Sequence, residues 1–295
     1  MTAGTAAPEL DHAAERHRRL RAQGLLWQRG DITLRRCRRG LIAFLTHDRY
    51  IGAALEHMGE LNERDFALLR ELVRPGDWVV DAGANIGIYT LFFAHRVGPK
   101  GRVLSIEAQP RIARLLQTNI GLNQANHVAV WLGAVGEAPG RLHLPPVDYK
   151  AENNFGGVGL QRKPVGLSVE VRPLDGAQLE RCDFIKMDVE GMEAAVFAGA
   201  LATIRKFRPV LWMEADRPGA VDRLGSLARG EGYRCWELHI RGERARNFYR
   251  RPRNIFVERY GHHFITIELL ALPPGRPEPH WLSAPPDGVE LRWLG

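Results

Sequence analysis

At 295 residues, with 45% hydrophobic and 25% charged residues, the chain has the composition of a globular protein, long enough for one large domain or two small ones. A formal net charge of +7 raises nucleic acid or a membrane as partners, yet only five of the 41 basic residues are lysines, and neither aromatic-rich basic motifs nor zinc knuckles accompany the arginines. No run of about 18 apolar residues offers a membrane span. Residues 1–20 show no apolar segment behind a basic start, and the three cysteines, Cys37, Cys182 and Cys235, are widely spaced. A cytoplasmic protein with reduced thiols is expected.

In chain order, residues 1–75 read as a small N-terminal cap, with "GDITLRR" (30–36) and "LIAFL" (41–45) as strands and "RDFALLRELV" (64–73) as a helix. From Gly76 onward apolar runs alternate with helical patterns. Strands are predicted at 78–83, 101–108, 127–136, 182–190 and 208–216, with helices from Gly87 to Arg96, from Arg111, and from Ala220 to about Gly232. Residues 233–240 and 254–260 close the series as strands. Continuous apolar strands separated by helical crossovers mean buried parallel pairing, hence a doubly wound α/β sheet. The expected domain covers 76–262, with a Gly- and Pro-rich insertion at 137–181 over the cleft, and 263–295 reads as an extended C-terminal arm.

Two segments concentrate arginine: nine between Arg16 and Arg39, six between Arg241 and Arg253. Brought together, they would make a basic face for an acidic partner.

In doubly wound sheets ligands bind beyond the carboxyl ends of the strands. Four of the five strand ends carry an acid there: Asp81, Glu107, Asp188 with Glu190, and Glu214 with Asp216. The first runs into "DAGANIG" (81–87), a glycine turn that opens a helix but lacks the middle glycine of the dinucleotide fingerprint. Glu107 follows Gly87 by 20 residues, the place of an acid that accepts both hydroxyls of a ribose. Asp81 would repel a pyrophosphate but welcome an ammonium, and the helix N-terminus would favour a carboxylate. One ligand carries ammonium, carboxylate and ribose together: S-adenosyl-L-methionine. Gly83, Ala84, Asn85, Gly87, Ala108 and Ala134 fall beside these acids and complete the expected cofactor-binding set.

"VVDAGANIGIYT", "IEAQP", "IKMDVEGMEAAVFAGA" and "RPVLWMEAD", in that order, resemble the FkbM-type family of class I S-adenosylmethionine-dependent methyltransferases over roughly residues 48–260. "NNFGGVGL" (153–160) and "PLD" (173–175) also match its pattern, while Ala108 stands where the family's usual E-P-x-P turn after strand two has a proline. The resemblance implies a Rossmann-like, seven-stranded, mostly parallel sheet with an antiparallel hairpin at one edge. It also implies O-methylation of a hydroxyl on a sugar, glycan or other small molecule.

A hydroxyl attacking a methyl sulfonium gains from a base. Asp188, Glu190 and Glu214 are the candidate catalytic carboxylates, and Glu193 reads as an acid at a helix N-terminus. Such a cluster also suits Mg²⁺ or Ca²⁺. A divalent ion is allowed but not expected, and no metal ligand is assigned. His47, His57 and His143 are alternative bases. Asn153, Asn154 and Phe155, with Tyr149 nearby, are candidates for contacting a polyhydroxylated acceptor. Two other functions compete. An N-methyltransferase acting on nucleic acid would carry an Asn/Asp-Pro-Pro-aromatic tetrapeptide where this chain has Asp188-Val189-Glu190-Gly191. A non-catalytic nucleoside-binding module is the other. Oligomeric state has no signature.

Overall fold

A computed structural model describes residues 24–252 and 254–295; the arginines before residue 24 and the absent leader pattern lie outside them. The N-terminal cap holds an antiparallel sheet of β1 (Leu25–Arg29), β2 (Ile32–Cys37) and β3 (Gly40–Leu45), then α1 (Ile51–His57) and α2 (Glu63–Leu72). The main domain continues with β4 (Trp78–Ala82), α3 (Ile88–Val97), β5 (Arg102–Glu107), α4 (Pro110–Leu122) and β6 (Val128–Leu132). After β7 (Ala134–Val135), β8 (Gly140–Leu144) and β9 (Leu167–Arg172) come β10 (Phe184–Met187), α5 (Glu193–Gly199), α6 (Leu201–Phe207) and β11 (Val210–Glu214). The chain closes with α7 (Ala220–Gly230), β12 (Arg234–Arg241), α8 (Ile255–Tyr260), β13 (Ile265–Leu272) and β14 (Val289–Trp293).

The central sheet runs β14-β12-β13-β11-β10-β4-β5-β6. The five strands from β11 to β6 are mutually parallel, and β13 is antiparallel to both β11 and β12. The doubly wound α/β fold of class I methyltransferases is therefore present, with eight strands rather than seven. Its two faces follow the two-residue period of a strand: Val210 and Trp212 of β11 pack on one side, Leu211 and Met213 on the other.

Three readings of the sequence are corrected. Residues 255–260 are helical, because the Asn254 side chain accepts from the backbone N–H groups of Phe256 (2.9 Å) and Val257 (3.4 Å) and so caps a helix start. The strand expected there is β13, and with β14 it draws most of the supposed C-terminal arm into the sheet; Leu269 to Leu272 are fully buried. The run 127–136 is two strands, since the chain leaves the main sheet after Leu132 and β7 joins β9 and β8 in a separate three-stranded sheet. That small sheet gives the 137–181 insertion more order than its composition suggested.

The cap is tied to the main domain through α4. Asn123 and Asn119 satisfy the backbone of edge strand β3 at Leu41 and Ala43, and Asn119 also donates to the Ile86 carbonyl in the glycine turn, 2.8 Å. The two arginine-rich segments do meet: Tyr249 Oη donates to the Arg36 carbonyl (2.8 Å), and Arg38 and Arg244 share the carboxylate of Glu60. Glu60 sits between them, so part of their charge is spent internally.

Candidate active site

A cavity of about 570 Å³ opens at the carboxyl ends of the central strands, within the size range of small-ligand sites. Its floor is the glycine turn, the β5 end and the β10 end. Its roof comes from three places: the cap at Tyr50 and Asn62, the insertion at Asn154 and Gly156–Leu160, and the C-terminal segment from His262 to Glu268.

At one end stands Glu107, 6% exposed. One oxygen accepts the Asn85 N–H (2.9 Å) and the other the Gln109 N–H (2.8 Å), so the carboxylate bridges the loops after β4 and β5. A carboxylate has about four acceptor positions, which leaves both oxygens able to accept again from the cavity. Burial pushes the Glu107 carboxyl up to about 7, against the lowering effect of those backbone donors. Asn85 holds φ +51 and Gly83 φ +80, the left-handed region that Asn tolerates and Gly enters freely. At Gly83 no other residue fits, since a Cβ there would lie 1.6 Å from the Asp188 carbonyl oxygen. The loops after β4 and β10 touch through that missing side chain. The α3 N-terminus beside it has no side-chain cap, leaving N–H groups free for an anion.

Asp81 does not line the cavity, which corrects its assignment as an ammonium acceptor. It is wholly buried and accepts from Thr90 Oγ1 at 2.7 Å. The reason is register: Ser105 on β5, Asp81 on β4 and Lys186 on β10 are direct cross-strand neighbours, so they form one polar row under the turn. Lys186, 1% exposed, places its ammonium 2.8 Å from Asp188 Oδ2, 4.0 Å from Asp81 Oδ1, and over the Tyr89 ring. Burial alone would lower this ammonium's pKa; the two carboxylates outweigh it and raise it above its ordinary value. Gly87 shapes the turn without lining the cavity, whereas Gly83, Ala84, Asn85, Glu107, Ala108 and Ala134 are all on its wall.

At the other end Asp188, Glu190 and Glu214 come together, one oxygen of each lying within 4.8 Å of the other two. Glu190 sits at φ +56 beside Gly191 at φ +91. The strained turn is braced by Glu193, whose carboxylate accepts the N–H groups of Val189 (3.1 Å) and Gly191 (3.0 Å); this adds a loop-shaping task to the expected helix-end charge. Arg217 holds one oxygen of Glu190 at 2.9 Å. Burial first, then Asp188, pushes the Glu190 carboxyl up to about 7, and burial with several like charges drives Glu214 far higher.

Of the acceptor-side residues, only Asn154 reaches the cavity. Asn153 docks the insertion on the cap through backbone bonds with His47 and Arg49. Phe155 is fully buried, its ring against Tyr149 and its carbonyl accepting Gln109 Nε2 at 2.8 Å. Gly156 and the turn after it replace these two on the wall. His47, His57 and His143 lie off the cavity, while His262 and His263 line it. Residues missed in the sequence are Lys186, Glu268, Tyr89 and Asn62. Lys186 was visible as a lone lysine inside an apolar strand, and Glu268 as an acid inside "ITIELLAL".

Residues 81–235, just over half of the chain, match the methyltransferase FkbM domain family. The chain belongs to this family. The FkbM domain thus spans the glycine turn, Glu107, the Asp188 loop and Glu214, and ends inside β12. Among curated relatives, methyltransferase sdnD of Sordaria araneosa is 29% identical over 161 residues, covering 41% of this chain and 60% of that protein. The 2-O-methyltransferase NoeI of Sinorhizobium fredii is 28% identical over 164 residues, covering 50% of this chain and 66% of its own. The chain therefore spans less than two thirds of either relative. A solved methyltransferase FkbM from Methylobacillus flagellatus KT superposes with a TM-score of 0.44 at 22% identity, over 68% of this chain and 48% of that one.

Proposed function

We propose that the protein is an S-adenosylmethionine-dependent O-methyltransferase acting on a hydroxyl of a small molecule, natural product or sugar. The observation that supports this best is the placement of three carboxylates, Asp188, Glu190 and Glu214, in the same cavity as the Glu107 bridge. The residues present fit the donor. Glu107 keeps an acceptor position on each oxygen for a ribose, and the uncapped α3 N-terminus offers N–H groups to the donor's carboxylate. Gly83 keeps the turn clear of side-chain atoms. Bound there, S-adenosylmethionine supplies an electrophilic methyl group on a sulfonium.

The chain's own work is then to hold an acceptor hydroxyl in line with that methyl and to receive its proton. Asp188 or Glu190 takes the proton, while the Glu214 carboxyl, driven far above the usual carboxylate range, already carries one. Lys186 fixes Asp188 from behind, and the roof formed by Asn62, Asn154 and the His262–Glu268 segment excludes water and touches the acceptor. A half-open cavity of this size suits a small acceptor or a sugar unit rather than a duplex. Among relatives, one is named a 2-O-methyltransferase, in keeping with a hydroxyl acceptor. Among the described residues no helix is long and apolar enough to cross a membrane.

Incubating the full chain with S-adenosylmethionine and a panel of sugars and hydroxylated metabolites tests this, with the product's methyl located by NMR. A methyl found on nitrogen or carbon, or donor binding with no turnover across the panel, would count against it.

A further inference from the structure

We propose that Asp188, Glu190 and Glu214, joined by Glu268, form a binding site for one divalent cation of the Mg²⁺, Mn²⁺ and Ca²⁺ class inside this cavity. The inference revises the metal-free expectation and rests on the methyl-transfer reading only for its purpose.

One oxygen each from Asp188, Glu190 and Glu214 lies within 4.8 Å of the others. A cation equidistant from three such oxygens sits about 2.8 Å from each, so closing the triangle by a few tenths of an ångström reaches the 2.3–2.6 Å range of Ca²⁺. The existing partners leave room for this. Lys186 takes one oxygen of Asp188 and Arg217 one oxygen of Glu190, which leaves the second oxygen of each for another ligand.

The independent observation is Glu268. It is 3% exposed, lies on the cavity wall directly across the ladder from Glu214, and its Oε2 has no hydrogen-bond partner. Glu214 Oε2 is likewise unpartnered. Directly opposed residues of an antiparallel pair share a face, so both carboxylates point to the same side of the sheet. A buried carboxylate with an unused oxygen must either hold a proton or be met by something positive, and one cation between the acids would meet several of them at once. Lys186 cannot serve all of them: it is the one lysine among six lining acids, Glu107, Asp188, Glu190, Glu214, Asp216 and Glu268. The donor set contains only oxygens, with no histidine or cysteine in the triad, and this favours hard cations over zinc or copper. A hydroxyl coordinated there would be held beside the methyl group and made more acidic.

Mn²⁺ is the probe. Titrating the full chain while following the free-ion EPR signal should show one ion bound per chain. Glu214→Gln and Glu268→Gln should each weaken it about 10- to 100-fold, while both keep their affinity for S-adenosylhomocysteine, which reports intact folding. Absence of saturable uptake up to about 1 mM Mn²⁺, or one-site uptake unchanged in both variants, overturns the site. The donor reading is tested separately by S-adenosylhomocysteine binding to the unmodified chain. Donor binding without Mn²⁺ uptake removes only the cation, and failure to bind S-adenosylhomocysteine removes the methyl-donor assignment whatever Mn²⁺ does.

Discussion

The two ends of the cavity hold their carboxylates in different ways. Glu107 is held by backbone: two N–H groups from neighbouring loops fix it, and no cation is needed. Asp188 is held by Lys186 two residues before it and Glu190 by Arg217, both through side chains, while Glu214 and Glu268 keep unused oxygens. A carboxylate satisfied by backbone donors is a finished binding surface, ready to accept hydroxyls. A cluster satisfied only in part disfavours full ionisation, pushing Glu190, Glu214 and Glu268 upward, and a positively charged ligand would let more of its acids ionise. The Glu107 end, the proposed donor side, is thus held locally by backbone, and the Asp188 end, the proposed acceptor side, is electrostatically incomplete.

The largest effect expected is at the contact between the two ends. Gly83→Ala would drive a Cβ against the Asp188 carbonyl, 1.6 Å away, at a φ of +80. It should cost more than about 3 kcal/mol of stability and abolish S-adenosylhomocysteine binding, read by thermal melting and calorimetry. A melt close to that of the unmodified chain would mean that the loops separate easily.

Separating the ends comes next. Glu107→Ala should weaken S-adenosylhomocysteine by about 100-fold, since two charged hydrogen bonds of about 1.5 kcal/mol each are lost. Asp188→Asn should leave that affinity within about threefold yet lower turnover by about 10²- to 10⁴-fold. If the two variants show the same profile, the division into donor and acceptor ends is wrong.

A smaller effect is expected from the brace on the Glu190 turn. Glu193→Ala frees the N–H groups of Val189 and Gly191 and should cost about 1–3 kcal/mol in denaturant unfolding, with turnover falling more than donor affinity. An unchanged turnover would show that the turn keeps its shape without the brace.

The mildest prediction concerns pH. The Glu107 carboxyl is raised from 4.5 to about 7 by burial. Above that value it is ionised and accepts hydroxyls well; below it the proton occupies an acceptor position. Donor affinity should fall by up to about tenfold per pH unit as pH drops through 7, and Glu107→Gln should flatten the profile. In the unliganded protein the sign is opposite: the folded state binds this proton more tightly than the unfolded chain, so the Glu107 contribution to stability falls as pH rises from 4.5 to about 7.

Much of the Glu107 end of the cavity could be read from the chain alone. Gly83, Asn85 and Glu107 follow a strand, open a helix and keep a fixed spacing, all within 25 residues, so local backbone geometry decides them. The acceptor end was legible only as a cluster of acids. Asp81 shows the limit: its place at a strand end suggested a ligand contact, but pairing with Ser105 and Lys186 turns it under the turn. Phe155 shows another, because a ring beside two asparagines looked like a sugar platform until Tyr149 and Gln109 enclosed it. The segment 254–260 was misread because "NIFVERY" is apolar enough for a strand, and the decisive signal was the cap at Asn254.

Continuous apolar runs between helical patterns, the glycine turn with its acids at strand ends, and the ordered family motifs determined the α/β class and the family, because each depends on neighbours a few residues away. Which acids share a space, where Lys186 points, and that β13 slots between β11 and β12 to set Glu268 opposite Glu214 were decided only by tertiary structure. Those contacts join residues far apart in the chain, and strand order, which no local pattern encodes, selects them.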